Sequence, residues 1–242
     1  MRQTAIRISE SYDLSPARRE ALANARRLYG ATQVAPDELG GWFDYQDWRG
    51  EPVSRQHFIG RWTLLYFGYC RCTGSCRQVA PVIAEAAETL RLRGFPARAA
   101  FVDIETHHVA RPRMITADGE AHAHEVNWAM RHAQAARYRE HEGRLSVLSG
   151  TRAQLAKATA AFHVLREHVP PQSGKGGHDI NHSSMIYVIG PDMLVAAYGY
   201  HDMERAELVS LVEELAASER QPVDLAAVRA RYERFSCGGD LG

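Results

Sequence analysis

Residues 63–76 read TLLYFGYCRCTGSC. From Thr63 to Tyr69 the run is continuously β-branched and aromatic and follows a Gly60-Arg61 turn signal, the pattern of a central strand buried on both faces. Three cysteines, Cys70, Cys72 and Cys76, crowd its end. Beyond them Val79, Val82, Ile83, Ala86 and Leu90 keep helical spacing, so a helix runs from Cys76 to about Leu92 and stops before Gly94. Residues 97–103, ARAAFVD, read as a second strand. Strand, helix and strand of these lengths make a βαβ unit, whose connection is nearly always right-handed.

Working outward, Ser15-Pro16 and the ARREALANARRLY that follows predict an opening helix, with serine at the cap and proline at the first helical position. Residues 104–143 break the rhythm. They are polar, His-rich and Arg-rich, with a turn at Ala117-Asp118-Gly119 and a helix near 123–141, and read as an insertion. Order resumes with Leu145 to Leu148 and a helix over 152–167, entered through the capping-box pattern Thr151-Arg-Ala-Gln154 and burying Leu155, Ala158, Phe162 and Leu165. A loop, PPQSGKGGHDINH, then leads to a hairpin of strands 184–189 and 193–198 around Gly190-Pro191-Asp192. A helix over 203–217 buries Leu208, Leu211, Val212 and Leu215, and an amphipathic helix over 222–235 precedes a loose end. The order is that of an α/β thioredoxin-like fold, a central mixed sheet flanked by helices. Its parts are an N-terminal helical extension (1–39), the domain proper (40–217, with the insertion 104–143) and a C-terminal helix and tail (218–242).

The 242 residues suffice for one medium domain with extensions. Lys plus Arg and Asp plus Glu are each 29, so no net field favours nucleic acid or an anionic membrane. The four cysteines, the fourth being Cys237, are not scattered in pairs as a disulfide framework would be, and the cluster points to redox or metal chemistry. The first thirty residues hold no apolar run approaching the roughly 20 residues that span a bilayer, nor the apolar core of a secretory signal. The expectation is a soluble, cytoplasmic chain without a membrane span, or a periplasmic one if the sequence is truncated.

Cys72 and Cys76 sit where the strand turns into the helix, and a spacing of four puts both side chains on one face if the helix begins there. A helix start lowers a thiol pKa and favours the thiolate that binds metal or attacks a disulfide; Arg71 and Arg77 flank the pair and add to this. Two soft thiolates suit Cu(I) or zinc, and the pair alone does not choose between them. Buried small hydrophobes are the bland alternative, since free cysteine is often a core residue. Cys70, at the strand end, reads equally as a packed thiol or a ligand. Cys237 lies in a Gly-flanked tail within swinging range of the site.

These residues carry a family resemblance. FDYQDWRGEPVSRQHFIGRWTLLYFGYCRCTGSC (43–76) resembles the opening of Sco/SenC proteins, in which a strand, a glycine turn and an Arg-Trp-Thr-Leu-Leu-type strand lead to a Cys-x-x-x-Cys pair. LSGTRAQL (148–155) is similar to the family's Leu-Thr-Gly-Thr segment, Phe101-Val102-Asp103 to its strand ending in Val-Asp, and INHSSMIYVIGPD (180–192) to its Asp-His-Ser motif. The resemblance implies one copper ion, Cu(I) or Cu(II), held by Cys72, Cys76 and His182. It also implies a metallochaperone that hands copper to a client protein or a small-molecule thiol. A thioredoxin topology brings the chain before the hairpin to the start of the first helix, which agrees with His182 as a ligand. His178 is an alternative or auxiliary ligand, and Asp179 is placed to orient either imidazole. The chain departs from the family where prolines are usual, carrying Thr73 and Arg77 after the two cysteines, and where Ile104-Glu-Thr-His-His replaces a second acidic motif.

His107, His108, His122, His124, His132 and His141 read either as a second metal site or as a solvated helical insertion. Three further functions compete with copper transfer: a thiol-disulfide oxidoreductase with Cys72 and Cys76 as catalytic thiols, a peroxiredoxin-like reading of Thr73-x-x-Cys76 that has Tyr69 where a proline is expected, and a copper-dependent oxidase. The spacing is not Cys-x-x-Cys, and no proline immediately precedes strand 184–189, both of which count against an ordinary reductase.

Overall fold

The computed structural model describes residues 6–7, 40–41, 44–47, 51–69, 72, 75–104, 136, 139, 141, 143–150, 152–169, 179–218 and 224–236. The expected opening helix, most of the insertion, Cys70, His178 and Cys237 lie outside them. The elements are, in chain order, β1 (Ile6–Arg7), β2 (Asp44–Asp47), β3 (Pro52–Ser54), β4 (Trp62–Gly68), α1 (Ser75–Leu92), β5 (Ala97–Asp103), β6 (Leu145–Ser149), α2 (Arg152–Ala161), β7 (Arg166–Val169), β8 (Asp179–His182), β9 (Met185–Ile189), β10 (Val195–Tyr200), α3 (Arg205–Ser218) and α4 (Leu225–Ser236).

Eight of these strands form one mixed sheet in the order β1-β10-β9-β4-β5-β6-β2-β3. β4, β5 and β6 run parallel at its centre, and β9 lies antiparallel to β4. Every residue of β4 is buried, as a run without polar alternation requires. Trp62, Leu64 and Tyr66 face the layer made with Val79, Ile83 and Leu90 of α1 and Leu208, Val212 and Leu215 of α3. Leu65 and Phe67 face the opposite layer, where the rings of Phe67, Phe162 and Tyr187 meet tilted or edge-on with centroids 5.3 to 5.8 Å apart. Each such large apolar side chain contributes about 1.5–3 kcal/mol on burial, so these two layers hold the sheet in place. The exposed pairs Arg93–Glu213 (2.8 Å) and Arg205–Glu85 (3.5 Å) link α1 to α3 and add little to that.

The βαβ unit is as expected. α1 ends at Leu92 and is closed by Gly94, whose φ of +88° lets Phe95 N–H reach the Leu90 carbonyl (3.0 Å) and Gly94 N–H the Arg91 carbonyl (3.0 Å), turning the chain into β5.

Three expectations need correction. The helix predicted over 152–167 stops at Ala161. His163 takes φ +51°, and Val164 N–H bonds the Thr159 carbonyl at 2.8 Å, the same terminating motif without a glycine to announce it. Leu165, expected in the buried stripe, is consequently 55% exposed, whereas Leu155, Ala158 and Phe162 are buried. Second, the loop expected over 170–182 ends in a strand: β8 pairs with β7 antiparallel, Arg166 opposite His182 and Val169 opposite Asp179, as a separate two-stranded sheet. Third, the following hairpin is displaced to 185–189 and 195–200, because Met193 and Leu194 belong to its turn, where Leu194 N–H bonds Asp192 Oδ1 at 3.1 Å. Among the described residues no helix is long and apolar enough to cross a membrane.

Candidate metal centre

β4 leaves the sheet at Gly68, and Cys72 N–H donates to the Tyr69 carbonyl (3.0 Å) before α1 begins at Ser75. Cys76 is therefore the second residue of α1, where backbone N–H groups lack helical partners. Its side chain is fully buried, Cys72 is 9% exposed, and the two are not joined by a disulfide. The close approach depends on Gly68. A Cβ there would lie 2.8 Å from Cys76 Sγ and 2.9 Å from the Phe101 ring, so only a bare backbone lets the thiol settle over the strand end.

His182 arrives from the other side of β4. Tyr66 is opposite Ile186 in the β4–β9 register, so the chain immediately before Met185 runs beside the end of β4. The result is a contact across 106 residues of sequence: Cys76 Sγ lies 3.6 Å from His182 Nε2. Nδ1 of the same ring is 3.1 Å from the Ser183 carbonyl oxygen and donates to it, which fixes the tautomer and leaves Nε2 as the acceptor or metal-binding nitrogen. Burial lowers the His182 pKa below the ordinary histidine value, against the opposing influences of the Ser183 carbonyl and the Cys72 charge. The neutral imidazole, which is the metal-binding form, is thereby favoured.

Two tyrosines frame this imidazole edge-on, Tyr66 with ring centroids 5.8 Å apart at 77° and Tyr69 at 6.2 Å and 85°. The Tyr66 hydroxyl lies 3.3 Å from Ser75 Oγ and also meets Ser184 and Cys76. Burial, and after it the Cys76 charge, raises the Tyr66 pKa far above that of an ordinary phenol. In the sequence Tyr66 reads only as part of a buried strand. The available signal was a hydroxylated ring two residues before Gly68, on the face that meets the helix start.

Of the ligands expected from sequence, Cys76 and His182 are brought together, and Cys72 is near enough for its charge to act on His182. Among the described residues no group of three His, Cys, Asp or Glu side chains gathers closely enough to hold a metal ion as it stands. Cys70, Cys237, His178, His107, His108, His122, His124 and His132 lie outside the described residues, and of Asp179 only the backbone, in β8, is described. His141, read with the insertion, is buried at 4% exposure, its carbonyl accepting the Arg144 N–H at 2.9 Å. As a donor set, two sulfurs and one imidazole suit a soft or borderline ion and not a hard one.

The family model for SCO1/SenC matches residues 31–108 and 131–217. The chain is 27% identical over 195 residues to the mitochondrial SCO2 homologue of Homo sapiens, spanning 80% of this chain and 65% of that protein. To the mitochondrial SCO1 homologue of Mus musculus it is 25% identical over 174 residues, 72% of this chain and 55% of that one. It thus spans between about half and two thirds of the length of these curated relatives. Among solved structures, copper-bound yeast Sco1 superposes with a TM-score of 0.59 at 17% identity, covering 78% of this chain and 94% of that one. Copper-bound ScoI of Arabidopsis thaliana gives 0.58 at 18% identity, covering 74% and 98%. These structures share the thioredoxin-like arrangement of sheet and helices described above. With more than half of its residues matched by that family model, the chain belongs to the SCO1/SenC family.

Proposed function

We propose that this chain is a metallochaperone that carries one copper ion on Cys72, Cys76 and His182 and passes it to a client protein. The observation that carries the reading is the 3.6 Å approach of Cys76 Sγ to His182 Nε2, with Nδ1 already engaged by the Ser183 carbonyl. The ring is thereby oriented with Nε2 toward the thiol, and an ion entering between them takes the place of the thiol proton and of this hydrogen bond. Cys72 supplies the third donor by closing onto this pair from the turn after β4. In the same reading residues 40–217 form the copper-carrying domain, 104–143 an insertion in it, and 1–39 and 218–242 its extensions.

Two thiolates and one imidazole leave a coordination position open on a soft ion, and an incoming client sulfur or nitrogen enters there by ligand exchange. Cys76 is fully buried and Cys72 nearly so, whereas His182 is partly exposed, so exchange begins on the His182 side and Cys76 releases last. The relatives with copper in their solved structures support the choice of metal. Reduced protein titrated with Cu(I) against a competing chelator is expected to bind one ion, with affinity lost in Cys76→Ala and in His182→Ala. Unchanged affinity in both variants sinks the copper assignment.

A second reading, thiol-disulfide exchange, draws on Cys72 and Cys76 both standing as thiols, not joined in a disulfide, where β4 gives way to α1. It predicts disulfide turnover that survives His182→Ala and is lost in Cys76→Ala, because an attacking thiolate does not need the imidazole as a ligand.

A further inference from the structure

Outside the ligand set, the Tyr66 hydroxyl has the most specific surroundings in the described residues. Tyr66 is fully buried, in a strand otherwise made of packing residues. A phenylalanine would fill almost the same volume, and a buried hydroxyl costs free energy unless it is hydrogen-bonded. Here it lies 3.3 Å from Ser75 Oγ and in contact with Ser184 and Cys76, while the ring meets His182 edge-on at 5.8 Å. One side chain on β4 therefore touches both arms of the site, Cys76 on α1 and His182 at the end of β8. Around it, Tyr69 contacts His182 from the strand end, and the Phe101 ring lies tilted against Tyr66 at 6.1 Å.

We propose that Tyr66 is a positioning residue for the copper ligands: its hydroxyl donates to the Cys76 sulfur and its ring edge holds the His182 imidazole, setting the sulfur-to-nitrogen separation at which the ion is received. The Tyr66 oxygen and Ser75 Oγ lie 3.3 Å apart, and with Ser75 donating to the phenolic oxygen the phenolic O–H is left for the sulfur. The inference rests on the copper reading above and adds to it a residue that does not bind the metal.

The test loads wild type, Tyr66→Phe and Ser75→Ala with Cu(I) for affinity and with Cu(II) for the thiolate-to-copper charge-transfer band. Thermal unfolding of each metal-free variant checks that it is folded. Tyr66→Phe keeps the ring and loses the donor, so Cu(I) affinity is expected to fall about tenfold, the worth of a hydrogen bond to a charged group, and the band to move. Ser75→Ala leaves the phenol in place and is expected to keep the wild-type band and affinity. A Tyr66→Phe protein that matches wild type in both readouts overturns this proposal alone, and so does a Ser75→Ala protein that reproduces the Tyr66→Phe shift. Wild type that binds no copper overturns the copper reading and this proposal with it.

Discussion

Cys76 and His182 meet at 3.6 Å, yet the chain delivers them by unlike means. Cys76 is clamped: it belongs to the first turn of a helix of 18 residues, is fully buried, and sits on a glycine that leaves no room for a methyl group. His182 stands at the end of a two-stranded ladder outside the main sheet, partly exposed, and is oriented by a backbone carbonyl and two tyrosine rings. A ladder of two strands is marginal by itself in water, whereas the strand-to-helix junction is held by the whole core. In the proposed copper reading the first arm is the fixed anchor and the second is the one that opens to an incoming ligand.

The largest expected effect tests which arm is the anchor. Sharing the free energy of a typical protein metal site among its ligands, Cys76→Ala should weaken Cu(I) binding about a hundredfold and His182→Ala, which removes a neutral donor, about tenfold. The opposite order in a chelator competition would break the comparison. Next comes Gly68→Ala, which forces a Cβ against Cys76 Sγ and the Phe101 ring and should cost about 1–3 kcal/mol, seen as a lower thermal midpoint. A midpoint equal to wild type means the junction is not tightly clamped.

On the other arm, Ser183 Oγ accepts the Leu165 N–H at 3.0 Å. Ser183→Ala should cost about 0.5–1.5 kcal/mol and speed hydrogen exchange at Leu165 while leaving β4 and α1 protected. Exchange that rises equally in α1 shows the two arms open as one unit. The smallest effect is with pH. His182 has a folded-state pKa below its unfolded value of about 6.5, so the unfolded chain binds the proton more readily. Metal-free protein should lose stability as pH falls below about 6.5 and reach the full loss once the lowered folded value is passed. An NMR titration placing the His182 ring at or above the ordinary value contradicts this.

Legibility followed how local the cause was. The strand read at 63–69 is Trp62–Gly68, the helix from Cys76 to Leu92 is Ser75–Leu92, and 97–103 is a strand with the same limits, because each is set by side-chain pattern and a glycine stop. The end of α2 was misplaced because His163 takes the left-handed conformation that usually advertises itself as glycine. β7 and β8 were missed for another reason. Arg-Glu-His-Val and Asp-Ile-Asn-His lack an apolar alternation, and they are strands because their backbones pair with each other. Tyr66 was legible as core, but its hydroxyl's partners come from α1 and from the chain entering β9.

The sequence by itself determined the βαβ unit around the cysteines, the class of the fold and the family, since hydrophobic period, glycine stops and motif spacing are written along the chain. Only the tertiary structure decided that Cys76 and His182 touch, that Gly68 makes the space for the thiol, and that Tyr66 stands between the two arms. The physical reason is the sheet register: pairing Tyr66 with Ile186 converts a separation of 106 residues into a few ångströms, and no local pattern in the sequence encodes that distance.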